Sequence, residues 1–346
     1  MHELFLVSTK FVCTKPLDAR VDRPQYSNSE HKCDNRTTRM LPFPILLTVA
    51  GFPKMPKIPK PLTTTLSQAI HEFVRDGDSV ALEGFTHLIP FAAGHEIIRQ
   101  RKRNLTLIRM TPDLIYDQLI GAGCARKLVF SWGGNPGVGS LHRFRDAVEH
   151  GWPEPLQIEE HSHAAMASAY TAGASGLPFS ILRGYTGTDL PRYNQNIRFV
   201  QCPFTGERLA AVPALRPEVT IIHAQKADRR GNVLMWGIVG VQKEAALSAK
   251  RVVVTVEEIV EDLHASPNAS ILPFWTVDAV VKVAGGASPS YAMDYYERDN
   301  AFYKRWDEIS RTREGFLRWL NENVFCEQSA PQPVSLSLAG TGSEKL

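Results

Sequence analysis

Five short apolar runs do most to limit what this chain can fold into. They are Ser79-Val80-Ala81-Leu82, Leu105-Thr106-Leu107-Ile108, Lys127-Leu128-Val129-Phe130, Val219-Thr220-Ile221-Ile222 and Arg251-Val252-Val253-Val254. Runs of this kind, without alternating polar residues, read as strands buried on both faces. Helical patterns lie between several of them, at Ala93 to Arg101, Leu114 to Ala122, Leu141 to Glu149 and Ala164 to Ala174. Strand alternating with helix predicts an α/β fold: an open, mostly parallel sheet with helices on both faces. A first helix is predicted from Thr65. Thr65 and Gln68 match a capping box there, and Leu66, Ala69, Ile70, Phe73 and Val74 recur at helical spacing.

The ends of the chain do not share this pattern. Residues 1–60 show no helical or strand periodicity and carry Pro42, Pro44, Pro53, Pro56 and Pro59 in their second half. Translation from an upstream start codon, a disordered tail and a targeting peptide all compete as explanations, with the upstream start preferred and Met55 as the native start. The α/β domain is expected over residues 61–285. Beyond Gly285-Gly286 the aromatic and charged segment from Tyr291 to Trp319 has no strand runs. Residues 286–330 are therefore expected to form a helical extension packed on the body or on a partner, and residues 331–346 a disordered tail.

Charge narrows the function. The net charge of +3 comes from the leader: residues 1–60 hold 10 Lys and Arg against 5 Asp and Glu, leaving 29 against 31 for residues 61–346. A slightly acidic body gives no basic face for nucleic acid. No apolar run approaches the roughly 20 residues needed to span a bilayer. Five widely spaced cysteines without a Cys-x-x-Cys pair fit a reducing cytoplasm.

In an open parallel sheet, ligands bind beyond the carboxyl ends of the strands. The first such loop is Glu83-Gly84-Phe85-Thr86, which continues through Pro90 into a helix. Asp76-Gly77, the apolar strand, Gly84-Phe85 and Pro90 together resemble the alpha-subunit signature of family I CoA-transferases, with Glu83 where the family usually has glycine. The resemblance runs from about Leu62 to Asn321. It takes in Trp132-Gly133-Gly134-Asn135-Pro136-Gly137, Glu159-Glu160-His161-Ser162-His163, Ala172 to Phe179, Gly187-Thr188-Asp189-Leu190 and the Asp228-x-x-Gly231-Asn232 turn.

Within that family the chain is most similar to the branch that moves CoA from succinyl-CoA to 3-oxoadipate in aromatic-compound degradation. The resemblance implies a CoA thioester as substrate, no tightly bound cofactor, and a B subunit, in an A2B2 assembly, that supplies the nucleophilic glutamate. This chain is then expected to contribute walls and donors and no catalytic nucleophile. The candidates are Gly84, Phe85, Thr86, Gly134, Asn135, Glu160, His161, Arg183, Gly187 and Thr188. Glycine lets a backbone approach a reacting oxygen closely, and arginine forms paired bonds to a carboxylate.

Plainer readings stand beside these. Gly84 could simply turn a strand into a helix, Glu83 reads as a partly solvated or hydrogen-bonded strand-end carboxylate, and Asp228, Gly231 and Asn232 suit a tight turn. Gly134, Gly137 and Gly139 have the wrong spacing for a dinucleotide loop. Glu160, His161 and His163 lack a clear remote ligand, so no metal is expected. Arg183 could equally form a surface salt bridge. Other functions compete too: a CoA-thioester carbon–carbon hydrolase alpha subunit of the same fold with its glutamate near Glu160, a CoA-transferase for another dicarboxylate such as glutaconate, and a sugar-responsive regulator. The last lacks a helix-turn-helix pattern in residues 1–60.

Overall fold

The computed structural model describes residues 62–136 and 138–326, so the expectations for residues 1–60 and 331–346, and for Gly137, lie outside the described residues. The first half runs β1 (Leu62–Thr63), α1 (Leu66–Phe73), β2 (Ser79–Glu83), α2 (Phe91–Arg99), β3 (Leu105–Ile108), α3 (Leu114–Gly121), β4 (Ala125–Phe130), α4 (His142–Glu149) and β5 (Gln157–Glu160). Then come α5 (His163–Ala174), β6 (Phe179–Leu182), α6 (Leu190–Tyr193), β7 (Arg198–Gln201), β8 (Arg208–Pro213), β9 (Val219–Asp228) and β10 (Val233–Met235). The rest comprises α7 (Gln242–Ser248), β11 (Arg251–Val260), β12 (Ser270–Leu272), β13 (Ala279–Lys282), α8 (Asn300–Arg311) and α9 (Arg313–Leu320).

All five apolar runs are strands of one sheet, in the order β1-β13-β11-β9-β2-β3-β4-β5, and every neighbouring pair along that path is parallel. Successive strand residues feed opposite cores. Val80, Leu82, Leu105, Leu107, Leu128 and Phe130 face one cluster with residues of α1 to α4, while Ala81, Ile108 and Val129 face another with Met166 and Tyr170 of α5 and Ala245 of α7. Helices thus cover both faces, which is why these strands lack a polar side. The capping box at α1 is formed: the Gln68 N–H donates to Thr65 Oγ1 at 3.2 Å and the Thr65 N–H to Gln68 Oε1 at 3.3 Å.

Two parts go beyond what periodicity indicated. β10 and β12 form an antiparallel wing on β9, and β6-β8-β7 make a separate three-stranded antiparallel sheet whose inner face packs on α5. The C-terminal segment is not helical from residue 286; its first helix starts at Asn300, after turns and isolated bridges. Once helical, it packs on the body. Trp306 is fully buried, donates Nε1–H to Asp117 Oδ2 at 2.9 Å, and shares a core with Leu82 and Leu128.

The strand order fixes where a site can form. From β2 the chain winds outward through β3, β4 and β5; it later resumes beside β2 with β9 and winds the other way through β11 and β13. That reversal splits the connecting loops at the carboxyl ends of β2 and β9 and opens a crevice there.

Candidate active site

The floor of the crevice is ionic. Arg109, just past β3, is 1% exposed; its Nη1 donates to Asp113 Oδ1 at 2.9 Å and its Nη2 to the Gly84 carbonyl at 2.7 Å. Glu83 is fully enclosed and not partly solvated. Its carboxylate accepts from the Tyr170 hydroxyl at 2.8 Å and the Met110 N–H at 3.1 Å, and burial raises its pKa against the pull of Arg109. β2 ends with this side chain turned toward α5, because alternation puts Glu83 on the same face as Ala81.

Above this floor the loop from Gly84 to Pro90 is tightly specified. A Cβ on Gly84 would come within 2.8 Å of the His87 and Leu88 carbonyl oxygens and 2.9 Å of Ile89 Cα, so only glycine fits. Thr86 and Leu88 hold φ values of 59° and 52°, a region that costs a side-chain-bearing residue and persists only where surroundings enforce it. The enforcement is visible. Gln242 Nε2 bridges the Glu83, Leu88 and His223 carbonyls, Ser290 Oγ donates to the Thr86 carbonyl at 2.8 Å, and the Leu88 N–H donates to the Tyr291 carbonyl at 2.9 Å. His87 is clamped at both ring nitrogens: Nδ1 donates to the Ile238 carbonyl and Nε2 accepts from the Met293 N–H, each at 3.0 Å. That pairing requires the neutral ring, and burial lowers its pKa accordingly. With the Gly84 and Thr86 carbonyls occupied, the N–H groups of Phe85 and Thr86 have no acceptor among the described residues, and Phe85 is 36% exposed.

Most of the other predicted residues gather along the same row of strand ends. The Gly134 N–H donates to the Pro112 carbonyl at 3.2 Å, beside Asp113. Asn135 is buried and donates from Nδ2 to the Tyr303 carbonyl at 2.7 Å, which makes it an anchor for α8. Glu160 ends β5 with its side chain exposed; partial burial raises its carboxyl, with His161 opposing. His161 bonds through Nε2 to Glu159 Oε1 at 2.9 Å, and Lys127 donates to Glu159 Oε2 at 2.6 Å. Burial alone would raise the Glu159 carboxyl, but these hydrogen bonds hold it at about 2. The Tyr185 hydroxyl accepts from the Ser162 N–H, and the Tyr185 carbonyl accepts from the Thr188 N–H, so Gly187 and Thr188 are tied to the end of β5.

Arg183 does not join this row. Its guanidinium forks onto Glu207 at 2.8 to 3.1 Å on the exposed three-stranded sheet. His163 contacts Ser131 Oγ at 3.2 Å while His161 holds Glu159, and among the described residues no group of three His, Cys, Asp or Glu side chains could hold a metal. Asp228 closes the tight turn after β9, accepting from the Arg230 and Asn232 N–H groups. No described helix is long and apolar enough to cross a membrane.

Reading the motifs missed Arg109, Asp113, His87 and Gln242. One signal was present: Arg109 directly follows the apolar run of β3, the same position relative to its strand that drew attention to Gly84. Gln242 and His87 left none, because their partners lie 19 to 206 residues away.

A family model described as Coenzyme A transferase matches residues 63–283. The chain is 69% identical over 260 residues to the A subunit of the 3-oxoadipate CoA-transferase of Pseudomonas knackmussii, covering 75% of this chain and 92% of that one. It is 35% identical over 281 residues to the A subunit of the glutaconate CoA-transferase of Acidaminococcus fermentans, covering 75% of this chain and 87% of the relative. The crystal structure of the A. fermentans glutaconate CoA-transferase superposes with a TM-score of 0.72 at 34% identity, over 76% of this chain and 88% of that chain.

Proposed function

The chain belongs to the coenzyme A transferase family, and from that premise we propose that it is the A subunit of an enzyme moving CoA from succinyl-CoA to 3-oxoadipate. The observation that carries this reading is the high identity to the A subunit of a 3-oxoadipate CoA-transferase over nearly all of that relative's length. The enzyme is an A2B2 assembly in the cytoplasm, acting in the degradation of aromatic compounds.

The B subunit supplies the nucleophilic glutamate. Its carboxylate attacks the acyl-CoA thioester carbon, CoA thiolate leaves, and an acyl anhydride remains; the thiolate then attacks the glutamyl carbonyl of the anhydride, releasing the acid and leaving a glutamyl-CoA thioester. This chain presents the Phe85 and Thr86 N–H groups to the thioester oxygen as negative charge develops there. Because Arg109 and Ser290 pin the loop's carbonyls, those donors need no reorganisation in the transition state. Gly84, Gly134, Glu160, His161, Gly187 and Thr188 form the surrounding wall, while buried Asn135 braces it from behind through the Tyr303 carbonyl. Arg183 belongs to the outer sheet instead.

Co-expression of the full chain with its B subunit, followed by an assay of CoA transfer from succinyl-CoA to 3-oxoadipate, tests this. Transfer by the pair and none by either chain alone is expected. No transfer by the pair, or full activity of this chain by itself, overturns the reading.

A further inference from the structure

The loop that carries the Phe85 and Thr86 N–H groups is gripped by one stretch of chain, residues 285–296. The Gly286 carbonyl accepts from the Ala92 N–H at 3.0 Å, and the Tyr291 carbonyl from the Leu88 N–H at 2.9 Å. Ser290 Oγ donates to the Thr86 carbonyl at 2.8 Å, and the Met293 N–H to His87 Nε2 at 3.0 Å. Only turns and isolated bridges run through this stretch, so its place is fixed by groups outside it.

Both of its ends meet on one carboxylate. Glu257, in the second half of β11, is 4% exposed. Its Oε2 accepts from the Gly285 N–H at 2.8 Å, and its Oε1 accepts from the Tyr296 hydroxyl at 2.6 Å and from His223 Nε2 at 2.7 Å. The Tyr296 hydroxyl in turn accepts from the Ala287 N–H at 3.0 Å, which closes the stretch into an arch. His223 is fully buried in β9, with Nδ1 2.8 Å from Thr255 Oγ1. A Cβ on Gly286 would come within 2.9 Å of His223 Cε1, so the arch is seated against the imidazole. The His223 carbonyl also accepts from Gln242 Nε2, the amide that holds the Leu88 carbonyl. Burial by itself would raise the Glu257 carboxyl, but the bonds from His223 and Tyr296 hold it below its ordinary range.

We propose that Glu257, braced by His223 and Tyr296, is the positioning residue for the Phe85 and Thr86 donors: it fixes both ends of the arch, and the arch fixes the loop. This role rests on the transfer reading above and names the residue on which its donors depend. The need for it lies in the loop's torsions. Thr86 and Leu88 hold positive φ values, which persist only while the surroundings enforce them. A reacting group displaced by about 1 Å can cost on the order of 100-fold in rate. An ionised carboxylate suits the task because it accepts all three bonds at once, each strengthened by its charge. Glu257 acts through the arch and not on the substrate.

Glu257→Gln keeps the shape but leaves one acceptor oxygen, so either Gly285 or the His223 and Tyr296 pair loses its partner. In the full chain with its B subunit, kcat for CoA transfer is expected to fall about tenfold or more while the KM for succinyl-CoA stays within about twofold. Tyr296→Phe should give a smaller fall of the same kind. Ser290→Ala loosens the same loop, so combining it with Glu257→Gln should lower kcat by less than the product of the two single falls. Falls that multiply, or an unchanged kcat per folded complex with only a lower Tm, overturn the proposal. Hydrogen exchange reads the arch without activity. The Leu88 and Ala92 amides should exchange about tenfold faster in Glu257→Gln, with the β3 amides unchanged. Faster exchange confined to the loop, in a complex whose wild type transfers no CoA, supports the positioning role and sinks the transfer reading. Transfer by the wild type with loop exchange unmoved in the variant, or exchange raised equally across β3, sinks the positioning role. Should Glu257→Gln not fold, Tyr296→Phe decides by the same measures.

Discussion

Arg109 and Arg183 are both arginines paired with a carboxylate just beyond a strand end, yet they sit in opposite environments. Arg109 is sealed between β2, β3 and α3 and binds both Asp113 and a loop carbonyl. Arg183 lies on the three-stranded sheet with its side chain 77% exposed, forked onto a Glu207 that is itself 38% exposed. The second pair has the better two-pronged geometry, but water and salt screen it and two long side chains must be held still to keep it. For the first pair, removing one partner strands a buried charge. Burial, more than bond geometry, therefore marks which arginine shapes a site.

That contrast can be broken experimentally. Arg109→Met should have the largest effect, destabilising the chain by about 3–5 kcal/mol in urea unfolding because Asp113 is left buried without its cation; a cost under about 1 kcal/mol would remove the distinction. The buried carboxylates should also carry the pH dependence. Burial raises Asp117 from an ordinary 3.8 to about 6, so between those values the native state binds more protons than the unfolded state and stability falls as pH rises. Buried His95 is lowered from 6.5 to about 4 and acts in the opposite sense over nearly the same range. The informative quantity is thus a difference: from pH 4 to pH 7, Asp117→Asn should gain roughly 2 kcal/mol relative to the wild type. A flat difference would show that Asp117 titrates normally.

Smaller effects refine the picture. Gly84→Ala forces a methyl group against three backbone atoms, and about 1–3 kcal/mol of destabilisation is expected, with CoA transfer reduced more than stability. Normal transfer in that variant would show that the loop's shape is not needed. Arg183→Ala should change stability by about 1 kcal/mol or less. If it also abolished transfer, the small sheet would have to be brought back into the site.

The legibility of the fold follows burial as well. β2, β3, β4, β9 and β11 are covered on both sides, so their sequences are plain apolar runs. β5 is an edge strand of sequence Gln-Ile-Glu-Glu, and β6 and β7 alternate weakly with exposed residues, so no continuous apolar signal marks them. At the strand end, Gly84 was legible as a position where the backbone turns tightly from a buried strand toward a helix, and a Cβ there would meet the His87 and Leu88 carbonyls. Of the two readings open for Glu83, partly solvated or hydrogen-bonded, the structure takes the second, and its partner Tyr170 lies 87 residues away.

By itself the sequence determined the strand and helix alternation, the parallel sheet, the first helix with its cap, and the glycine that the loop after β2 requires. These rest on local chemistry: short apolar runs, capping side chains and glycine. Only the tertiary structure decided that Glu83 is buried, that Asn135 and Gln242 brace the framework, that Arg183 stands apart, and that Arg109 joins Asp113 to the Gly84 carbonyl. Each of those outcomes depends on which strand lies beside which, and pairings such as β2 with β9, more than a hundred residues apart, leave no trace in any local run.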